Sequence, residues 1–287
     1  MRLEERESRR IGHLDQSVRE GEVAFWWFGQ AGFALRSEDI YLFVDPYLSD
    51  HLAKKYAGTE LGHVRLMPAP IRAEEIQGLD WVLCTHRHSD HMDPETLPVL
   101  ARENSQCRFL VPRAEAEHAV RIGLDQERLV TMDDGEAVDL GGRVEVEAVA
   151  AAHEDLDVNS SGQHHFLGYI IRFGDLTVYH SGDCIPYPGL TDRLAGKGID
   201  LALLPINGRD AYRRSKGIPG NFTFDEAASL CTRVEIPMMI GHHFGMFEFN
   251  TIDPDRILEQ IANLKTGLQC HLPAIKKAYV VSRTQDG

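Results

Sequence analysis

The stretch Thr85-His86-Arg87-His88-Ser89-Asp90-His91 follows the apolar run Trp81-Val82-Leu83-Cys84, and this junction decides how the rest of the chain is read. WVLC has the character of a short buried strand, and strands commonly hand over to polar loops that carry chemistry. The loop packs three imidazoles and one carboxylate into six positions. Neutral imidazole nitrogen and carboxylate oxygen suit zinc, manganese and iron, while the lack of a cysteine disfavours a closed thiolate site. On an extended segment His86 and His88 point the same way, because side chains repeat every second residue. A turn into a helix beyond them redirects Asp90 and His91 toward a second point nearby, so two metals are expected. A polar loop of surface histidines would account for a lone His but not for this spacing after a strand.

Working outward, VAFWWF (23–28), FAL (33–35) and IYLFVD (40–45) are short apolar runs separated by GQAG and SED, which reads as a β-meander. After the motif, Asp93-Pro94 predicts a helix with Asp93 as N-cap and Pro94 at the first helical position. A second helix is expected over Ala114–Ile122, stopped by Gly123. Extended segments return at 143–153, at 166–183 with a hairpin turn at Gly174-Asp175, and at 199–208, with a short helix around Gly189–Leu194. The last third alternates: 224–234 helical, 236–244 extended, 253–264 helical with Asp253-Pro254 at its start, 278–283 extended. Meanders mixed with α/β units point to an α/β (α+β) fold of two sheets packed face to face with helices outside. Residues 23–287 read as one domain, and residues 1–22 as a charged N-terminal tail or helix.

Composition closes several doors. The 287 residues carry 30 Lys+Arg against 44 Asp+Glu, a net charge of −14, and 14 histidines. A chain this acidic repels phosphate backbones, so no nucleic-acid partner is expected. No apolar run approaches the ~18–20 residues of a membrane span, so no membrane association is expected. The five cysteines have no C-x-x-C spacing, and the N-terminus lacks the apolar core of a signal peptide; a reduced, cytoplasmic protein is expected. Assembly into a homo-oligomer stays open.

The run H-x-H-x-D-H resembles the hallmark of the metallo-β-lactamase superfamily, whose fold is a four-layer αββα sandwich with metals at one edge between two mixed sheets. The resemblance implies a further His, a bridging Asp and a final His, each at a strand end. His153, Asp183 and His243 fall in that order. His243 is preferred over His242 because H-F-G-M-F resembles the family's H-Y-x-M-F. Asp45 in FVDP looks like the superfamily's early Asp, which orients ligand histidines rather than binding metal. His180 reads as a packed residue behind the ligands, and His164 and His165 as loop histidines.

Within the superfamily the chain is most similar to the lactonase-like group that includes L-ascorbate-6-phosphate lactonase, in segments running from about residue 23 to 265. It departs from that group at Gln30, where many relatives have His, and at His153, where ascorbate-phosphate lactonases carry a carboxylate. His88 stands where diiron oxidoreductases of the superfamily place Glu, which argues against oxygen chemistry.

The resemblance implies His86, His88 and His153 on one divalent ion, Asp90, His91 and His243 on the other, and Asp183 between them. Zinc or manganese is expected, with iron also compatible. The implied chemistry is metal-assisted hydrolysis by a bridging hydroxide, with Asp90 handling a proton. For substrate, the segment from Asn207 to Lys216 follows a strand and holds four cations in an otherwise acidic chain, and Arg209 in it is expected to grip a phosphate or carboxylate in bidentate fashion. Asn221 reads either as a pocket amide or as the cap region of the helix after it. The leading expectation is opening of a lactone, or cleavage of a related ester, of a small anionic sugar-like molecule. A phosphodiesterase or nuclease uses the same metals on another electrophile, and a non-catalytic metal- or ligand-binding module is the reading from a different class.

Overall fold

A computed structural model describes residues 1–6, 11 and 17–284. In chain order, the first half holds β1 (Arg2–Arg6), β2 (Glu22–Gly29), β3 (Gly32–Arg36), β4 (Tyr41–Val44), α1 (His51–Lys55), β5 (Trp81–Leu83), α2 (Leu97–Glu103), β6 (Arg108–Pro112), α3 (Ala116–Arg121), β7 (Leu129–Met132) and β8 (Ala137–Gly141). The second half holds β9 (Val144–Ala150), β10 (Leu167–Phe173), β11 (Leu176–His180), α4 (Leu190–Leu194), β12 (Leu201–Pro205), α5 (Ala211–Ser215), α6 (Phe224–Arg233), β13 (Met238–His242), α7 (Pro254–Asn263), β14 (Gln269–His271) and β15 (Ala278–Ser282).

Among the described residues the strands form two mixed sheets, ordered β1-β15-β2-β3-β4-β5-β6-β7 and β14-β13-β12-β11-β10-β9-β8. Short connections make the antiparallel pairs: GQAG joins β2 to β3, and Gly174-Asp175 joins β10 to β11, with Gly174 at φ 59 as a tight hairpin requires. Longer crossovers make the parallel runs β4-β5-β6-β7 and β11-β12-β13-β14.

The run VAFWWF is buried on both faces, which is why it lacks polar alternation. Phe25 and Trp27 enter a core shared with Tyr169, Ile171, Val178 and Leu203 of the other sheet. Ala24, Trp26 and Phe28 face the opposite way, into a second core with Leu97 and Leu100 of α2 and Ala119 of α3. Sheet therefore packs on sheet, with helices covering the outside. Truncating fully buried Trp26 to alanine is worth about 3–5 kcal/mol.

Three expectations need correction. Arg2–Arg6 is neither tail nor helix: it is an edge strand paired antiparallel with β15, Arg2 opposite Ser282. Of the rest of the predicted tail, 7–10 and 12–16 lie outside the described residues. Asp93 does not cap α2, which starts three residues later than Pro94, at Leu97. Its carboxylate instead accepts from Ser49 N, Glu95 N and Thr96 Oγ1, closing the turn before the helix. Asn221 is not a cap either; Thr223 and Glu226 form a reciprocal capping box at the start of α6.

Candidate metal centre

Five strand ends and one turn converge at one edge between the sheets. β4 ends at Asp45, β5 leads into His86–His91, and β2 turns into β3 through Gln30. From the other sheet, β9 leads to His153, β11 to Asp183 and β13 to His243. The segment after His88 is a single turn rather than a helix: the N–H groups of His91 and Met92 both donate to His88 O, at 2.9 and 2.8 Å. That turn swings Asp90 and His91 away from His86 and His88, as two sites require.

The result is three overlapping groups whose donor atoms lie within 4.8 Å of one another: His86, His88 and His153; His86, His91 and Asp183; and Asp90, His91 and His243. Asp183 Oδ2 lies 3.4 Å from His91 Nε2, 3.6 Å from His153 Nε2 and 3.2 Å from His243 Nε2. One carboxylate oxygen thus spans both histidine groups.

Hydrogen bonds behind the cluster fix which nitrogens face it. His91 Nδ1 donates to Asp45 Oδ2 at 2.7 Å, leaving Nε2 to face Asp183. Asp45 also accepts from Thr85 N at 2.7 Å and Thr85 Oγ1 at 2.6 Å. With its proton committed to Asp45, the Thr85 hydroxyl accepts from His86 Nδ1 at 3.0 Å, so His86 Nε2 turns its lone pair into the site, 3.0 Å from His88 Nδ1. His153 Nδ1 donates to Gly220 O at 3.1 Å, which frees its Nε2 in the same way. Asp45 therefore orients His91 directly and His86 through Thr85.

Burial, reinforced by neighbouring histidines, lowers the pKa of His86 well below its ordinary value and lowers that of His88. Burial brings His153 down to about 4. These rings stay neutral, the form that binds metal. Burial also opposes charge on His91, but Asp183, Asp45 and Asp90 outweigh it and raise its pKa well above 6.5. For Asp183 and Asp90 burial works against ionisation, yet His91 and His243 hold both below the usual carboxylate range.

His91 Nε2, both ring nitrogens of His243 and Asp183 Oδ1 are buried without a hydrogen-bond partner. Each such group costs about 1–3 kcal/mol unless something satisfies it. Lone pairs of imidazole and carboxylate, converging and unpaired, fit divalent cations. Ions held there supply a water of lowered pKa and polarise a substrate oxygen.

Other sequence-predicted residues are placed differently. His180 is buried; its Nε2 donates to Ala31 O at 2.8 Å and its Nδ1 accepts from Gly182 N at 3.0 Å, so it holds the backbone next to Asp183. His242 stacks on His180, and both of its ring nitrogens are buried without a hydrogen-bond partner. His164 and His165 pair with Asp133 and Glu115. Arg209 does not reach the site: its guanidinium meets Glu226 in bidentate fashion at 2.7 and 2.6 Å. Asn207 and Asn221 are buried and bond each other at 3.1 Å, with Asn207 also donating to Asn250.

Gln30, which the sequence marked only as a departure, is part of the site. Its Nε2 donates to Asp90 Oδ2 at 3.1 Å, and its carbonyl accepts from His243 N at 3.0 Å.

A cavity of about 820 Å³ opens over His88, Asp90, His153, Asp183 and His243. Four cations line it: Lys55, Arg87, Arg121 and Lys216. Lys216 is paired with Glu60, and Arg87 sits 3.9 Å from Glu115. No sequence signal marked Lys55 or Arg121, which come from separate helices and meet only through tertiary structure.

Residues 41–244, more than half of the chain, match the family described as Beta-lactamase superfamily domain, and the chain belongs to this superfamily of metal-dependent hydrolases. It is 26% identical over 266 residues to a UPF0173 metal-dependent hydrolase of Nitratidesulfovibrio vulgaris, covering 91% of this chain and 96% of that one. It is also 26% identical over 266 residues to the mitochondrial N-acyl-phosphatidylethanolamine-hydrolyzing phospholipase D of Saccharomyces cerevisiae. That match covers 87% of this chain but about half, 55%, of the yeast protein. The fold is shared with an isothiocyanate hydrolase from Delia radicum gut bacteria, at TM-score 0.70 and 14% identity, covering 89% of this chain and 97% of that one.

Proposed function

We propose that the protein hydrolyses small phosphodiesters with two divalent ions, zinc or manganese, iron also suiting the donors. The observation that carries hydrolysis is Asp183 Oδ2 within 3.2–3.6 Å of three imidazole nitrogens drawn from both histidine groups. His86, His88 and His153 hold one ion, Asp90, His91 and His243 the other, and Asp183 lies between. Asp90 Oδ2, which accepts from the Gln30 amide and lies 3.9 Å from His91 Nε2, would face the ion, and Oδ1 would take up the proton released as water adds to the ester and pass it to the leaving oxygen.

The choice of electrophile rests on the cations of the cavity and on the phospholipase D activity named for the yeast relative. The net charge of −14 favours a small phosphodiester over a nucleic acid. Lactone opening is the second reading, because the same cations suit a phosphorylated lactone. Neither reading keeps the phosphate grip expected from Arg209, whose guanidinium meets Glu226. A reducing compartment, the cytoplasm, belongs to the proposal, since all five cysteines are free and buried. No helix among the described residues is long and apolar enough to cross a membrane.

Protein loaded with Mn(II) or Zn(II) is expected to turn over bis-p-nitrophenyl phosphate, and His88→Ala to abolish that turnover. Turnover of a lactone panel without phosphodiester turnover selects the second reading. Full activity in His88→Ala refutes the site.

A further inference from the structure

Four rings gather on one side of the cavity, and the hydrolytic machinery uses none of them. Tyr56 and His63 stack at 4.2 Å with 22° between their planes. His63 meets Phe247 edge-on at 5.0 Å and Phe249 at 4.7 Å, and the two phenylalanines lie nearly parallel at 6.1 Å. All four line the cavity that also holds Asp90 and His243.

Core packing fully encloses only one of them: Phe247 is buried in a small cluster with Tyr47, Leu52 and Met246. Tyr56 and Phe249 pack against the same small cluster with one side left toward the cavity. Tyr56, His63 and Phe249 are half-buried, so each keeps apolar ring surface that a guest in the cavity could cover. His63 is suited to an apolar wall: its Nδ1 donates to Leu61 O at 2.7 Å, and burial lowers its pKa, so the ring stays neutral. The cations on the same cavity, Lys55 and Arg121 among them, favour a guest that carries an anion as well.

We infer that Tyr56, His63 and Phe249, backed by Phe247, form a subsite for an apolar substituent, an aryl ring above all, on the anionic ester. This rests on the phosphodiester reading and narrows its substrate class to esters with one flat apolar arm. Half-burying a phenyl ring against such a wall corresponds to about a tenfold gain in affinity.

Phenylphosphonate and methylphosphonate share one head group and differ only in the arm, so calorimetric titration of metal-loaded full-length protein with each isolates the subsite. The phenyl compound is expected to bind about tenfold tighter. Phe249→Ala and His63→Ala should each reduce that ratio to about twofold, with metal content measured in parallel as the control on folding. Equal affinities in the unaltered protein, or a ratio unmoved in both variants, overturn the subsite. Absence of bis-p-nitrophenyl phosphate turnover with the ratio intact sinks the phosphodiester reading and leaves the subsite standing.

Discussion

Asp45→Asn tests how the ligands are held without touching any of them. The Asp45 carboxylate is fully buried and accepts three hydrogen bonds of 2.6–2.7 Å, from Thr85 N, Thr85 Oγ1 and His91 Nδ1. Asparagine keeps the size and tolerates the left-handed backbone at φ 46, so strain does not confound the result. The Thr85 N–H keeps the amide carbonyl at Oδ1, which puts an NH2 where Oδ2 was. That group donates, and the Thr85 hydroxyl can rotate to accept. His91 cannot keep its proton on Nδ1 against a donor, so the proton moves to Nε2, the nitrogen facing Asp183 at 3.4 Å. A protonated nitrogen is no ligand.

Loss of such a supporting partner typically weakens metal affinity 10–100-fold, or about 1.4–2.7 kcal/mol. Chelator competition with Zn(II) and elemental analysis give the affinity of each ion. The ion at Asp90, His91 and His243 should weaken by that factor, while the ion at His86, His88 and His153 is held more nearly as before. If both ions bind Asp45→Asn within about threefold of the unaltered protein, the tautomer argument is refuted.

Loading the metal-free protein should release protons, measurable with an indicator dye, chiefly from His91, whose pKa is raised, because burial already favours the neutral form of His86, His88 and His153. The sign for stability follows: a folded pKa above 6.5 contributes fully below that value and is lost as pH rises through the folded pKa, so the metal-free Tm should fall on raising pH above about 7. Arg209→Ala should leave kcat/KM within about twofold and cost about 0.5–1 kcal/mol of stability by denaturant titration, since its partner is Glu226; a tenfold rise in KM would place it in the cavity after all. Gln30→Asn, too short to reach Asp90, should lower kcat about tenfold with both metals retained, because the backbone bond to His243 survives; loss of a metal would show that Gln30 acts on the ligands.

The residues that converge as candidate ligands were legible because their signal is local. Four of them sit within six positions after an apolar run, and the others end apolar runs. What stayed illegible depends on partners distant in sequence. RLEER shows no apolar alternation, and its pairing with β15 joins opposite ends of the chain. Asp93-Pro94 is a sound local cap pattern, but Ser49 and Thr96 claim the carboxylate. Arg209 follows a strand as a pocket residue should, yet Glu226, already in the capping box, takes its guanidinium. The aromatic wall joins residues 56–63 to 247–249, and nothing in either segment points to the other.

The centre draws its donors from both sheets, so its spacing depends on how the sheets sit against each other at that edge. Four hydrogen bonds between the sheets set this, each within two residues of a ligand or of Gln30. His243 N donates to Gln30 O, His180 Nε2 to Ala31 O, Leu167 N to Thr85 O, and Tyr169 Oη to Cys84 O. None needs an ion. Gln30, Asp45 and His243 also adopt left-handed φ of 48, 46 and 66°, a strain of about 1–3 kcal/mol each for non-glycine residues. Strain at three residues of one site persists only if the surrounding bonds over-determine the backbone. The donor side chains are therefore positioned before any cation arrives, His91 needing only to give up its proton, and a site whose backbone is fixed in this way need not reorganise as charge develops on the substrate.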